Sequence, residues 1–244
     1  MLSLSYQLAA SVLIKLGESD LAWIAAERGL NASENSESPA VRSSLIRSVA
    51  FALISSGRLE PAINLVESGA EILKKEIIND RTSISVYGTL FLVGSMAAAR
   101  FGDRSETESY LKEARLAANR LGEDANLLWT AFGPTNVAIH RVNTSAELGD
   151  FQTVLKSRIT FRSNIVPTER RVRYLLDVAR AHSLKGDPNQ ALETMLVAER
   201  MAPEQVRQHY VSRKVVATLI RDSAGKSSVE LDRLARRVNA IGSI

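Results

Sequence analysis

Cysteine is absent from all 244 residues. That removes disulfides and every thiolate metal ligand, and it fits a reducing compartment. Aromatic residues make up only 5%, and no run shows the alternating apolar pattern of a half-buried strand. Catalytic signatures are missing as well: the chain holds no HExxH, no GxSxG and no GxGxxG. Gly225-Lys226-Ser227 echoes the end of a phosphate-binding loop, but Ile220 stands where the first glycine is required. Without that glycine the backbone cannot cradle a phosphate. His140, His182 and His209 are the only histidines and show no metal-ligand spacing. No cofactor and no enzymatic activity are expected. No stretch reaches the ~18 apolar residues of a membrane span. The start, MLSLSYQLAASVLIKLGE, has no basic residue before its apolar part, and Lys15 and Glu18 follow closely. It reads as an amphipathic helix instead of a signal peptide. The expectation is a cytoplasmic chain with no membrane contact.

What is there favours helices. Apolar residues form 45% of the chain, with Ala and Leu dominant, the two types with the best helix propensity. Val172, Leu175, Leu176 and Ala179 make an i, i+3, i+4, i+7 stripe, and Leu45, Val49, Ala52 and Leu53 do much the same. Five glycines punctuate the pattern: Gly17, Gly57, Gly102, Gly149 and Gly186 each follow an apolar helix and precede a polar residue. Glycine suits the left-handed residue that commonly ends a helix. Loops are predicted at Asn31–Pro39, Ser163–Thr168 and Asp222–Ser228, with a helix starting at Pro167-Thr168.

The clearest unit is Arg171–Pro203, RVRYLLDVARAHSLKGDPNQALETMLVAERMAP. Measured back from Pro203, residues Ala179, Gly186, Ala191 and Ala198 fall at the small, turn and stop positions of a tetratricopeptide repeat, which this segment resembles. The glycine spacings are 40, 45, 47 and 37 residues, above the usual period of about 34, so the repeats are degenerate. Ala22, Ala62 and Ala191 lie five residues after their glycines, where a small side chain lets helices cross closely. Thr107 and Val154 replace them after Gly102 and Gly149, which predicts looser packing there. Beyond Pro203, helices over Glu204–Arg221 and Val229–Ile241 would cap the array. The expected fold is all-α: one tetratricopeptide-like right-handed superhelix over 1–244, with about five hairpins over 3–203 and a C-terminal helix pair in 204–244.

A narrower resemblance rests on three stretches. They are Leu128–Val142 (LWTAFGPTNVAIHRV), LSYQLAASVLIKLGESDLAWIAAERGL near the start, and ERRVRYLLDVARAHSLKGDPNQALETMLVAERMAPEQVR near the end. Together these are similar to the C-terminal region of actinobacterial XRE-type transcriptional regulators, over roughly Leu2–Arg236. The resemblance implies a module that senses a peptide or small-molecule effector for such a regulator. The family's helix-turn-helix would precede Met1, and no compact segment here offers a polar recognition helix. Direct DNA binding by this chain is therefore not expected. The chain is then a piece of a longer regulator, a late-starting frame or a stand-alone module. The alternative reading is a stand-alone adaptor that grips a protein partner. Apolar terminal helices also fit a homodimer.

In tetratricopeptide arrays the first helix of each hairpin lines the groove. Counting back from Gly149 and Gly186, the groove positions are Asn136 with Asn143, and Arg173 with Arg180. Each pair is seven residues apart and shares one helical face. An Asn amide can pair with a peptide N–H and C=O together, and an Arg fork suits a carboxylate. Glu147, one turn after Asn143, would receive an amine or an Arg. The commoner origin of such a pattern is a solvated polar face, or a cap in the case of Asn136. Trp129 and Phe132 are expected as packing anchors, Trp23 as core, and His140 as structural. The clusters Arg170-Arg171-Arg173 and Arg233-Arg236-Arg237 read as solvated faces paired with nearby acids.

Overall fold

A computed structural model describes residues 2–34, 38–74, 80–161, 165–223, 225 and 227–240. Parts of all three predicted loops, Lys226 and Ile241 lie outside the described residues. The fold is all-α. Among the described residues there is no β-strand, only an isolated bridge between Ala125 and Phe132. The helices are α1 (Leu2–Leu16), α2 (Ser19–Asn31), α3 (Pro39–Ser55), α4 (Leu59–Leu73), α5 (Arg81–Phe101) and α6 (Arg104–Leu121). After a 3₁₀ turn at Leu127–Trp129 come α7 (Pro134–Glu147), α8 (Phe151–Lys156), α9 (Thr168–Leu184) and α10 (Pro188–Met201). The chain ends in α11 (Pro203–Gln208), α12 (Tyr210–Asp222) and α13 (Val229–Arg237).

All five turn glycines do what their position predicts, with φ between 76° and 89°. The same pair of backbone bonds closes each helix. After α5, for example, Gly102 N–H donates to Ala99 O (3.1 Å) and Asp103 N–H to Ala98 O (3.0 Å). A Cβ on Gly102 would meet no atom within 4 Å, so glycine is required there by the left-handed backbone and not by space. The next residue opens the following helix. Asp103, Asp150 and Asp187 accept N–H bonds from Glu106, Thr153 and Gln190, satisfying donors that a helix start otherwise leaves orphaned. A Gly-Asp dipeptide is thus a complete helix-to-helix turn.

The residue five places after each glycine is buried in every case: Ala22, Ala62, Thr107, Val154 and Ala191. Looser packing at Gly102 is not found, since α5 and α6 make the most extensive helix pair in the molecule. The Thr107 hydroxyl donates to Asp103 O at 2.6 Å, which satisfies its polar atom and leaves the methyl to pack. After Gly149, by contrast, the second helix stops after six residues at Lys156. The predicted helix over Glu204–Arg221 is broken at His209, whose extended backbone (φ −74°, ψ 130°) separates α11 from α12. The His209 imidazole Nδ1 accepts the Val211 N–H and caps α12.

Contacts divide the chain into two compact units. The first comprises Met1–Thr144 with Phe161–Ile165, and the second Ser145–Thr160 with Val166–Ile244. In the first, α1/α2, α3/α4 and α5/α6 pair as hairpins, and α1, α3 and α5 neighbour one another in chain order. Its core runs through Val49, Leu53, Val66, Leu73, Leu90 and Leu92 to Phe132, all nearly inaccessible to solvent. Helix α5 is the one described helix long and apolar enough to cross a membrane, and 89% of its apolar window is buried inside the fold. In the second unit α9 pairs with α10, and α12 packs on both. Its core is Val172, Leu176, Met195, Val206, Val215 and Leu234.

Candidate functional site

The segment between α6 and α7 carries the sharpest local geometry. Leu128, Trp129 and Ala131 all have φ between 45° and 55°, a left-handed region that costs a non-glycine residue about 1–2 kcal/mol. Fixed points on either side hold them there. The Thr130 and Ser85 hydroxyls share a buried hydrogen bond of 2.6 Å, and the Asn126 side chain accepts from Ala131 N–H. The fully buried Phe132 ring stands directly on α5 at Gly88, where an added Cβ would come within 2.0 Å of its Cζ. Asp124 then closes the loop by accepting from the backbone N–H and the hydroxyl of Thr135 at the start of α7.

This backbone turns Thr130 and Phe132 inward and leaves Trp129 63% exposed. Phe132 is the anchor the sequence suggested. Trp129 is not: the left-handed backbone sends its indole to solvent. Trp23 is only partly buried, with the Arg58 guanidinium 5.3 Å above its ring. His140 is buried. Among the described residues no group of three His, Cys, Asp or Glu side chains is placed to hold a metal ion.

The five groove candidates divide between the units. Asn136 and Asn143 belong to the first, while Glu147, Arg173 and Arg180 belong to the second. Asn136 has no exposed surface, so it sits within the packing of the α7 start and not on an open face. Asn143 is half-buried. In the second unit the structure brings Glu147 and Arg180 together at 3.9 Å, with the Arg180 guanidinium 5.8 Å from the Phe151 ring centroid. The Tyr210 hydroxyl reaches the same carboxylate at 3.5 Å. Arg173 pairs with Glu169 one turn back on α9 at 3.1 Å. Its Nε is shielded from solvent and donates no hydrogen bond. Both arginine side chains keep 30% of their surface exposed.

The cluster at Arg170, Arg171 and Arg173 is half-buried and not a fully solvated face. Arg171 Nε donates to Val166 O. Desolvation pushes the Arg170 guanidinium below its ordinary pKa and the neighbouring Arg173 charge adds to this, against the opposing pull of Glu169. At the other end of the unit, Arg237 makes a two-pronged bond to the buried Glu199 (2.6 and 2.7 Å). Arg207 lies 3.6 Å from the same carboxylate. The Arg237 hydrogen bonds hold the Glu199 carboxyl below the usual range despite its desolvation, and the Arg237 and Arg207 charges reinforce this. Arg233 and Arg236 are exposed.

Sequence reasoning did not find this Glu199–Arg237 pair, the Tyr210 contact or the Gly88 socket. Their partners are 38, 63 and 44 positions apart, beyond any helical period. An open groove of about 130 Å3 between α5 and α6, lined by Ile84, Tyr87, Glu113 and Leu116, includes none of the predicted site residues. No protein-family model matches the chain, and a search of curated proteins finds no match.

Proposed function

We propose that this chain is the effector-sensing, protein-interaction region of an XRE-type transcriptional regulator. It is cytoplasmic and non-catalytic, and leaves DNA contact to a separate helix-turn-helix. In this reading 1–244 form one tetratricopeptide-like right-handed superhelix. The observation that carries the reading is the five-fold reuse of one device. Each Gly turn is closed by the same two bonds, and each is followed five residues later by a buried crossing residue. The row α1, α3, α5 supports it too, since first helices of stacked hairpins adjoin one another. The effector is a short peptide or a small molecule bound within the second unit by Arg173 and Arg180, beside Glu147. Binding acts by population shift, favouring the arrangement of the helices that holds the effector better.

Thermal-shift screening of the chain against pools of short peptides and metabolites tests this directly. A ligand at 100 times its Kd adds about 2.7 kcal/mol to the native state. A hit must lose affinity in Arg173→Ala and Arg180→Ala while the far-UV signal stays native. A hit indifferent to both substitutions removes this site.

One observation favours the adaptor alternative. Leu2, Leu8, Val12 and Leu16 on α1, with Leu21 and Ile24 on α2, are each 43–67% exposed, an apolar face suited to a protein partner or a second copy. Sedimentation of Leu8→Glu beside the parent chain tests the homodimer: a species of half the mass supports it, and an unchanged monomer excludes it.

A further inference from the structure

We infer that the α9 face of the second unit takes an acidic peptide whose two carboxylates stand three residues apart, one on Arg173 and one on Arg180. This rests on the sensing role proposed above and gives its ligand a chemistry. Charge is the first ground. The chain's small excess of basic residues is not spread evenly: the second unit carries 16 basic against 11 acidic side chains, the first 15 against 16. An acidic partner is drawn to the second unit and not to the first.

Spacing is the second ground. Arg173 and Arg180 are seven residues apart on α9, which places them on one face about 10.5 Å apart along the axis. A peptide in the polyproline II conformation turns once in three residues at about 3.1 Å each. Carboxylates at i and i+3 therefore point to one side about 9 Å apart, and flexible side chains cover the difference. A β-extended peptide presents same-side groups about 6.6 or 13 Å apart, a poor match at either value.

The third ground is the state of the two guanidinium groups. Glu147 stands 3.9 Å from Arg180, at the outer limit of an ion pair, and both groups are partly exposed. Such a pair is cheaply exchanged for another carboxylate. Arg180 would not be left loose, because the Phe151 face stays beneath it. Arg173 pairs with Glu169 one turn back, and both side chains are partly exposed, so this pair too is cheaply exchanged. Glu147 is thus the internal competitor for the site, and its removal and the removal of Arg180 should act in opposite directions.

Fluorescence anisotropy at low salt tests this with the full chain and the blocked, labelled hexapeptide Ala-Glu-Pro-Pro-Glu-Ala. Controls are Ala-Glu-Pro-Glu-Pro-Ala, which narrows the acid spacing, and Ala-Gln-Pro-Pro-Gln-Ala, which removes the charge. Expected is a Kd at least ten-fold lower for the first peptide than for either control. It should rise about ten-fold in Arg173→Ala and in Arg180→Ala, rise less in Arg180→Lys, and fall several-fold in Glu147→Gln. Far-UV signal and melting temperature identify any variant that fails to fold, and Arg180→Lys and Glu147→Gln keep the test decisive in that event. Equal binding of the two acidic peptides, weaker binding by Glu147→Gln, or equal competition from an oligothymidylate overturns the inference. Equal binding of the uncharged peptide, with loss in Arg180→Ala, sinks the acidic preference but leaves the sensing role standing. Binding of no peptide in any pool sinks both.

Discussion

The two units solve the same packing problem with different chemistry. In the first, helices are tied by small hydroxyls and by one aromatic ring in a glycine socket. Gln7 donates to Ser44 at 2.7 Å, Ser43 to Gly69 O, and Ser85 meets Thr130, while Phe132 fills the space over Gly88. In the second, the tie between α10 and α13 is the ion pair of Glu199 with Arg237, with Arg207 beside it. Small groups let helix backbones approach closely, so dispersion contacts accumulate over a large face. A buried ion pair instead holds two elements at one point, and its net worth depends on staying fully paired. The first unit should therefore respond chiefly to volume, and the second to charge and pH.

The largest expected effect breaks the first unit. Phe132→Ala should lower its stability by about 3–5 kcal/mol, the usual cost of deleting a buried aromatic side chain. Both tryptophans, Trp23 and Trp129, lie in that unit. Their fluorescence in a urea titration therefore follows it, and an unmoved midpoint would contradict the socket.

Breaking the second unit calls for Arg237→Ala, with an expected loss of about 1.5–3 kcal/mol for hydrogen bonds to a charged group. Its pH signature is specific. The Glu199 carboxyl is held below its unfolded value, so the unfolded chain binds the proton more readily. The stability this adds is fully present above the ordinary glutamate value of about 4.3 and is lost as pH falls below it through the depressed folded value. Amide-exchange protection of α10 and α13, compared at pH 5.5 and pH 3.5, should drop in the parent chain. In Arg237→Ala the drop should be much smaller.

What the units share is the turn. Gly102→Ala in the first and Gly186→Ala in the second should each cost about 1–2 kcal/mol, because both force alanine into the left-handed region. Unequal losses in denaturant melts would show that the two turns are not equivalent. Smallest of all, Trp129→Ala should change stability by no more than about 0.5 kcal/mol, as an exposed side chain does. A larger loss would mean that the indole is packed.

Much of this fold was legible because its signals are short. Helix stripes such as Val172, Leu176 and Ala179 repeat within eight residues, and each Gly-Asp turn is complete in two. Those are ranges over which sequence spacing translates directly into geometry. The break at His209 was missed because the residues on both sides favour helix, and only the imidazole cap on Val211 discloses it. Trp129 was misread for a similar reason: nothing before the backbone angles says which of Trp129 and Phe132 faces inward. For the candidate site, the sequence identified Arg173, Arg180 and Glu147 as polar groups on helical faces. It did not show that Arg180 would meet Glu147, nor that Asn136 would be wholly enclosed.

By itself, then, the sequence determined that this chain is helical, where the helices before its five turn glycines stop, and that thiol chemistry is closed to it. Each of these follows from the local preferences of a few consecutive side chains. Only the tertiary structure decided which ring would fill the Gly88 socket, which arginine would hold Glu199, and which polar groups stay within reach of a ligand. Those outcomes depend on partners 38 to 63 residues apart, and burial and pairing over such distances are set by how the helices assemble.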